Sequence, residues 1–324
     1  MAQEKFKTMI GGQALIEGIM MRGTEKDAIV LRNDEGISVE VTPRAIRGKG
    51  SPLSWPFIRG VFAFFNAQAT GVKAMMYSAE KSTADVPSSR FEDWLESKLG
   101  KERFDGLIVN VSVIFGLVLA IVLFFLLPMV ASSALDSFIP STFLLHLMEG
   151  VVRILIFAGY MLLVSRMKEM QRVFAYHGAE HKSIRCYEAG LPLTVENVRK
   201  QTRLHPRCGT SFLLVVMVIS ILVFSIASSV LLTFIPSLMA MKGSIGYKFL
   251  MIGFKLVLLP LVVSLSYEVN RLVGRYDNWL TKWISAPGMW FQRFTTKEPD
   301  DGMIEVGIAA LEAVLPEKEG ADRW

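Results

Sequence analysis

The chain has 324 residues, of which 52% are hydrophobic and 20% are charged, and its formal net charge is +5. This composition is too apolar for an ordinary soluble domain and too charged for membrane spans alone, so it predicts spans joined to soluble segments. Lysine and arginine near span ends report orientation in the membrane, so the basic excess does not predict DNA as a partner. The expected fold is mainly α-helical and polytopic.

The N-terminal region is expected to have β-hairpin character. Apolar runs at 28–31 and 37–41 flank turn-forming residues at 33–36, a pattern typical of a hairpin. Earlier in the chain, Gly11 and Gly12 are expected to permit a tight turn.

The segment 55–79 combines aromatic and methionine side chains with polar ones such as Arg59 and Lys73. This mixture predicts an amphipathic helix lying in the membrane plane, or inserted shallowly, rather than a further span. A polar linker at 83–89 and a short helix at 91–99 are expected to lead from it to the first span.

Four apolar runs approach the roughly 20 residues that are needed to cross a bilayer. The predicted spans are residues 106–130, 143–164, 212–235 and 247–267. Lysine and arginine precede the first span, fill the connection between the second and third, and follow the fourth, whereas the connection between the first and second has none. By the positive-inside rule, both termini and the 166–210 connection are expected in the cytoplasm, which predicts a multi-pass protein of the cell (inner) membrane.

After the fourth span, Trp279, Trp283 and Trp290 have the spacing of interfacial anchors. The tail from Asp300 is predicted to be an acid-capped amphipathic helix that ends before Pro316 and docks on the cytoplasmic side. The predicted organisation is therefore an N-terminal β-containing region (1–54), an amphipathic helix with linker (55–105), spans one and two (106–165), a His/Cys segment (166–210), spans three and four (211–268) and a cytoplasmic C-terminal region (269–324).

Residues 176–210 hold the densest potential chemistry, because three of the four histidines and both cysteines of the chain occur there. These residues are His177, His181, Cys186, His205 and Cys208. On a helix, His177 and His181 would lie on one face, near enough to share a metal ion. Together with Glu180 they form the pattern H-x-x-E-H, the inverted order of the zincin motif, in which two histidines hold zinc and a carboxylate polarises water.

The spacing leaves several arrangements open. Either His205 or Cys208 would complete a three-ligand site with an open position, or both would close a structural site. Nitrogen and sulfur donors favour zinc, with another divalent transition metal such as iron as the alternative. In a reducing cytoplasm the cysteines are expected to be thiols or metal ligands rather than a disulfide, and Cys186 as a metal-independent nucleophile is a further hypothesis. Gly178, a poor helix former, counts against the helix.

Charged residues also occur inside the predicted spans. His146, Glu149 and Arg153 fall on one stripe of the second span, and Lys255 lies near the middle of the fourth. Because charges are costly in hydrocarbon, Glu149 is expected to pair with Arg153 or Lys255, either as part of the packing or as a polar pathway.

Four motifs together carry a family resemblance: residues 11–22 (GGQALIEGIMMR), 176–182 (YHGAEHK), 205–210 (HPRCGT) and 295–300 (TTKEPD). In this order they resemble the YqhQ-like bacterial membrane proteins, a family of unknown function commonly described as predicted metal-dependent enzymes. The likeness runs nearly end to end. It implies a metal site whose ligands are His177, His181, His205 and Cys208, with Glu180 as the candidate base.

Two hypotheses about function follow. The first is a zinc-dependent hydrolase that acts at the cytoplasmic membrane surface, with Glu180 as general base. The second is a non-catalytic scaffold or biogenesis factor, in which a structural metal site braces nine lysines and arginines between 166 and 207 that bind a cytoplasmic protein or a ribosome-associated partner. A transporter is a third hypothesis, and four spans per chain would then require oligomerisation.

Overall fold

The computed structural model describes residues 5–44, 55–82, 94, 97–98, 100–134, 138–139, 141–318 and 320–323. The chain divides into two compact units. The first unit comprises Met1–Ser82, Tyr160–Ser220 and Leu258–Trp324, and the second comprises Thr83–Gly159 and Ile221–Val257.

The first unit contains a four-stranded antiparallel sheet with strand order β1-β2-β3-β4. The strands are β1 (Gly11–Leu15), β2 (Gly18–Arg22), β3 (Lys26–Asn33) and β4 (Gly36–Pro43). The predicted hairpin is confirmed as the β3–β4 pair, in which Asn33 lies opposite Gly36 across a two-residue turn. The sequence prediction missed β1 and β2, which extend this hairpin to a sheet.

The tight turn expected at Gly11 and Gly12 is wrong, because both residues lie in β1. The turn follows β1 instead, and Glu17 within it has a φ of 52°, in the left-handed region. Long-range contacts of its carboxylate stabilise this conformation. Arg172 donates to both carboxylate oxygens at 2.6 and 2.5 Å, and the Tyr176 hydroxyl donates at 3.1 Å.

The helices of the described part follow in chain order. They are α1 (Ile58–Lys81), α2 (Lys101–Ile121), α3 (Leu127–Ser133), α4 (Thr142–Val164), α5 (Lys168–Glu188), α6 (Val195–Arg199), α7 (Gly209–Phe234), α8 (Ser237–Ala240), α9 (Ile245–Arg275), α10 (Trp279–Thr295) and α11 (Asp301–Val314). A π-helical turn, Val122–Leu126, joins α2 to α3. The helix predicted at 55–79 is α1.

Four segments among the described residues are long and apolar enough to cross a membrane: Asn110–Ser132, Phe143–Val164, Ser211–Phe234 and Ile245–Arg275. They confirm the four predicted spans as helices of this kind. The predicted linker at 83–89 lies outside the described residues. Of the short helix predicted at 91–99, the structure describes Trp94, Ser97 and Lys98, all three helical.

The core of the first unit forms on both faces of the sheet, because successive side chains of a strand point to opposite sides. One face buries Ile19, Met21, Ala28 and Val30 against α5 and α11. The opposite face buries Met20 and Leu31 against Ala74 of α1. The sheet is therefore packed between α1 on one side and α5 with α11 on the other.

The C-terminal helix forms as predicted. The Asp300 carboxylate caps α11 by accepting from the backbone N–H of Met303 at 2.9 Å. The helix ends at Val314, two residues before Pro316. An N-terminal cap of this type contributes about 1 kcal/mol.

In the second unit, the Glu149 carboxylate is the centre of a buried ion network. Lys255 Nζ donates to its two oxygens at 2.5 and 2.7 Å, Arg153 donates at 2.9 Å, and His146 Nδ1 lies 3.1 Å away. The prediction that Glu149 pairs with Arg153 or Lys255 is confirmed for both. Arg153 also donates to the carbonyl oxygen of Phe124 at 2.7 Å, within the π-helical turn.

Candidate metal centre

Helix α5 and the start of α7 bring three predicted ligands together. Among the described residues, one donor atom each of His177, His181 and Cys208 lies within 4.8 Å of the other two. His177 Nε2 is 3.1 Å from Cys208 Sγ, and the two imidazole centroids are 4.3 Å apart. We call these three residues the His/Cys cluster. Its donors are close enough to share one metal ion.

Backbone carbonyls orient both imidazoles of the cluster. His177 Nδ1 is 2.8 Å from the carbonyl oxygen of Thr295, and His181 Nδ1 is 2.6 Å from that of Arg203. A carbonyl oxygen can only accept, so in each ring Nδ1 carries a proton and donates it. This leaves Nε2 as the ligand atom, the arrangement that metal-binding histidines commonly have.

Glu180 lies beside the cluster and is fixed by the sheet. Its Oε1 accepts from the backbone N–H of Gly12 at 3.0 Å. A Cβ atom at Gly12 would lie 3.0 Å from Cδ of Glu180 and 2.6 Å from the carbonyl oxygen of Met20, so this approach requires glycine. Burial raises the pKa of Glu180, although the charges of His177 and His181 oppose the shift.

Two buried polar atoms, one in the cluster and one beside it, have no hydrogen-bond partner among the residues that the structure describes. They are Nε2 of His181 and Oε2 of Glu180. Leaving a buried polar group unsatisfied costs about 1–3 kcal/mol. Both atoms are therefore available to a ligand, such as a metal ion or water.

His205 lies next to the cluster but outside it. Its ring centroid is 5.5 Å from that of His181, and its Nε2 is 3.2 Å from Oε2 of Glu188, a carboxylate that also pairs with Arg207. Gln292 holds the backbone of His205 by accepting from its N–H at 2.8 Å and donating to its carbonyl at 2.7 Å. Burial and the Arg207 charge keep the pKa of His205 well below its usual range.

Within the cluster, His177 and Cys208 shift each other's pKa. Burial alone would lower the pKa of His177, but the neighbouring Cys208 thiolate raises it to about 9. Burial alone would raise the pKa of Cys208, but His177 and His181 hold it well below its usual range. Without a metal ion, the two side chains therefore form a partly buried imidazolium–thiolate pair.

Residues 295–299 brace α5 from outside. A Cβ atom at Gly178 would lie 2.1 Å from the carbonyl oxygen of Lys297, so only glycine permits this packing. Lys182 pairs with Glu298 and donates to the carbonyl of Arg199 at 3.0 Å. Gly178 lowers the helix propensity of α5, but the close packing of α5 against Lys297 requires a glycine at this position.

A cleft of about 280 Å³ reaches Glu180 and the cluster. Three arginines contribute to its lining: Arg22, Arg44 and Arg207. Gly11 and Gly12 of the edge strand β1 form part of the same lining. The candidate centre is therefore reached by a cleft whose lining includes these arginines and glycines.

Cys186 is separate from this centre and forms no disulfide with Cys208. Its fully buried side chain packs with Val198 and Ile304. Burial raises the pKa of the Cys186 thiol, the opposite of what an activated nucleophile needs.

The apolar helices, the sheet and the cluster define a polytopic membrane protein that carries a candidate metal centre. Residues 55–317 match the family described as "Protein of unknown function (DUF1385)", and the chain belongs to this family. It is 31% identical over 320 residues to "Uncharacterized protein YqhQ" of Bacillus subtilis (strain 168). The aligned region covers 97% of this chain and 95% of that protein. The YqhQ-like resemblance is thereby confirmed. No solved structure matches the chain.

Contacts that the sequence did not predict explain three of the four family motifs. Gly12 of the first motif orients Glu180, and Thr295 of the last motif orients His177. In the motif 205–210, His205 contacts Glu188 and Cys208 contacts His177. In the sequence, these contacts were indicated only by the presence of the motifs together with the H-x-x-E-H segment in one chain. That presence does not show which residues are in contact.

Proposed function

We propose that this protein is a zinc-dependent hydrolase of the cytoplasmic membrane surface. In this proposal His177, His181 and Cys208 hold the metal ion, and Glu180 is the general base. His205 supports the loop that carries Cys208 rather than serving as a fourth ligand. The observation that carries the proposal is the pair of imidazoles anchored through Nδ1, with their Nε2 atoms beside one thiolate.

The donor set fits zinc. Two imidazole nitrogens and a thiolate are ligands that zinc prefers, and three protein ligands are typical of catalytic rather than structural zinc sites. The unsatisfied Nε2 of His181 and Oε2 of Glu180 also fit a centre that holds a metal ion and water. Iron is the alternative metal for such donors.

A zinc ion held here would supply Lewis acidity and lower the pKa of a bound water to about 7. Glu180 has a separate task. Because the Gly12 N–H holds Oε1, Oε2 is the oxygen that would accept a proton from water in the cleft. Burial raises the pKa of Glu180 in the metal-free protein, and the charge of a zinc ion beside it would lower this pKa and keep the carboxylate ionised as a base.

The expected location of the site narrows the choice of substrate. The positive-inside rule supports a cytoplasmic position for both termini and for the 166–210 connection, in an inner membrane. The tryptophans of α10 support a position close to the bilayer surface, since tryptophan is enriched at that depth. Of the three arginines that line the cleft, Arg22 pairs with Asp27 and Arg207 with Glu188, so the lining does not by itself define the charge of the substrate.

The scaffold alternative is less well supported, because most of the basic residues between 166 and 207 have partners within the chain. Seven of the nine make hydrogen bonds to other residues of the protein: Arg172, Lys182, Arg185, Arg199, Lys200, Arg203 and Arg207. Five of these seven are in salt bridges with a carboxylate, which reduces the positive charge that an acidic partner would meet.

The test separates metal binding from catalysis. We expect Glu180→Gln to retain one metal ion per chain but to fail to complement a strain that lacks the gene. Cys208→Ser should lose the metal and the complementation together. The matched control is Glu169→Gln, which removes an exposed carboxylate from the same helix and should behave as wild type. Full complementation by Glu180→Gln would contradict the proposed role of Glu180.

A further inference from the structure

A second cavity, of about 760 Å³, lies in the first unit at the end of the fourth candidate span. Val273, Tyr276 and Asp277 line it, on either side of Arg275, the last residue of that span. The helix that carries this span has 31 residues and is therefore about 46 Å long, whereas the hydrocarbon core is about 30 Å thick and the bilayer with its headgroups about 40–45 Å, so the end of the helix reaches the headgroup region. The cavity therefore lies at the depth of the lipid headgroups.

The cavity is strongly basic. Five cationic side chains line it: Lys5, Lys7, Arg207, Lys282 and Arg293. Among the described lining residues, Asp277 is the only carboxylate, and it lies 3.3 Å from Lys282. Arg207 pairs with Glu188.

The remaining three cations, Lys5, Lys7 and Arg293, have no carboxylate within salt-bridge distance in the part of the chain that the structure describes. An anion inside the cavity would therefore meet positive charge that the protein itself does not neutralise.

An apolar surface continues from this basic cavity. Met289 and Trp290 of α10 line the cavity, and Trp279 and Trp283 of the same helix are 79% and 76% exposed. Residues 279, 283 and 290 are spaced to share one face of a helix. A basic pocket that opens onto exposed tryptophans matches a ligand with a charged head and an apolar tail.

We propose that this cavity binds the phosphate-bearing headgroup of an anionic membrane lipid, whose acyl chains leave along the tryptophan face of α10. The volume falls within the range of about 300–1,000 Å³ that is typical of ligand pockets. Arg207 lines both this cavity and the cleft of the candidate metal centre, so a bound headgroup lies beside the proposed hydrolase site. The lipid site itself requires no metal ion.

The test uses the full chain in neutral detergent, titrated with short-chain phosphatidylglycerol, phosphatidylcholine or inorganic phosphate and followed by native mass spectrometry. We expect saturable binding of phosphatidylglycerol and at least about tenfold weaker binding of phosphatidylcholine. The double variant Lys7→Gln/Arg293→Gln should weaken phosphatidylglycerol binding by about twenty-five-fold, because each basic residue near an anionic lipid contributes about fivefold. The control, Lys200→Gln/Lys318→Gln, removes two exposed cations outside the cavity and should bind as wild type.

A second variant tests the volume rather than the charge. Ala286 lines the cavity and is exposed, so Ala286→Trp should fill the space without disturbing the core and weaken phosphatidylglycerol binding similarly. Equal affinity for the two lipids, or wild-type binding by both cavity variants, would overturn the proposal. So would inorganic phosphate that binds here and is not displaced by phosphatidylglycerol. Retained metal content in the cavity variants would separate this site from the metal centre.

Discussion

The pH dependence of metal affinity follows from the His177–Cys208 pair. A metal ion binds the deprotonated forms of both side chains. The pKa of Cys208 is held well below its usual range, so the thiol is already ionised near neutral pH. The pKa of His177 is raised to about 9, so metal binding below pH 9 must displace one proton from this imidazole.

Displacing one proton lowers the apparent affinity about tenfold for each pH unit below the pKa. Between pH 9 and pH 6 the loss is therefore roughly a thousandfold, or about 4 kcal/mol at about 1.4 kcal/mol per unit. Above pH 9 the affinity should level off. An unperturbed histidine, with a pKa near 6.5, would show this loss only below about pH 6.5.

The assay is a competition titration with a chelator whose own pH dependence is known, from pH 6 to pH 9.5. Wild type should show a slope of one proton per metal ion up to about pH 9. Cys208→Ser lacks a ligand as well as the thiolate, so it is the negative control and should take up no metal ion at any pH in this range. A wild-type slope of zero, or of two protons, over that range would refute the imidazolium–thiolate pair.

Two stability predictions follow from packing and charge. Gly178→Ala places a Cβ atom 2.1 Å from the carbonyl oxygen of Lys297, so we expect the free energy of unfolding to fall by about 1–3 kcal/mol in thermal melts. Gly159→Ala is the control, because no described atom lies within 4 Å of the added Cβ, and it should not destabilise. Glu149→Ala leaves the buried cations Lys255 and Arg153 without their carboxylate. The free energy of unfolding in detergent micelles should therefore fall by about 3–5 kcal/mol. An unchanged unfolding midpoint in either case would contradict the packing or the pairing described here.

Local patterns predicted much of the fold. The four spans are long apolar runs, and the β3–β4 hairpin has a turn cluster between two apolar segments. The Asp300 cap and Pro316 bound the last helix. Each of these signals lies within a short stretch of sequence, where hydropathy, turn chemistry and capping act directly.

The remaining features depend on contacts between distant residues. Gly12 is in a strand rather than a turn, and its role becomes clear only from Glu180, 168 residues further on. Gly178 is tolerated in α5 because Lys297 packs against it. His205 has the residue type and spacing of a ligand, yet Glu188 is its partner. Spacing identified the candidate residues but not which of them share a centre.

The central claim is tested most directly by zinc-edge X-ray absorption and metal analysis of the purified full-length protein. We expect one zinc ion per chain with two nitrogen donors and one sulfur donor from the protein. His205→Gln should retain the metal, whereas Cys208→Ser and His181→Ala should lose it. Wild-type protein without stoichiometric metal, or a metal ion that survives the loss of Cys208, would contradict the assignment of His177, His181 and Cys208 as the metal centre.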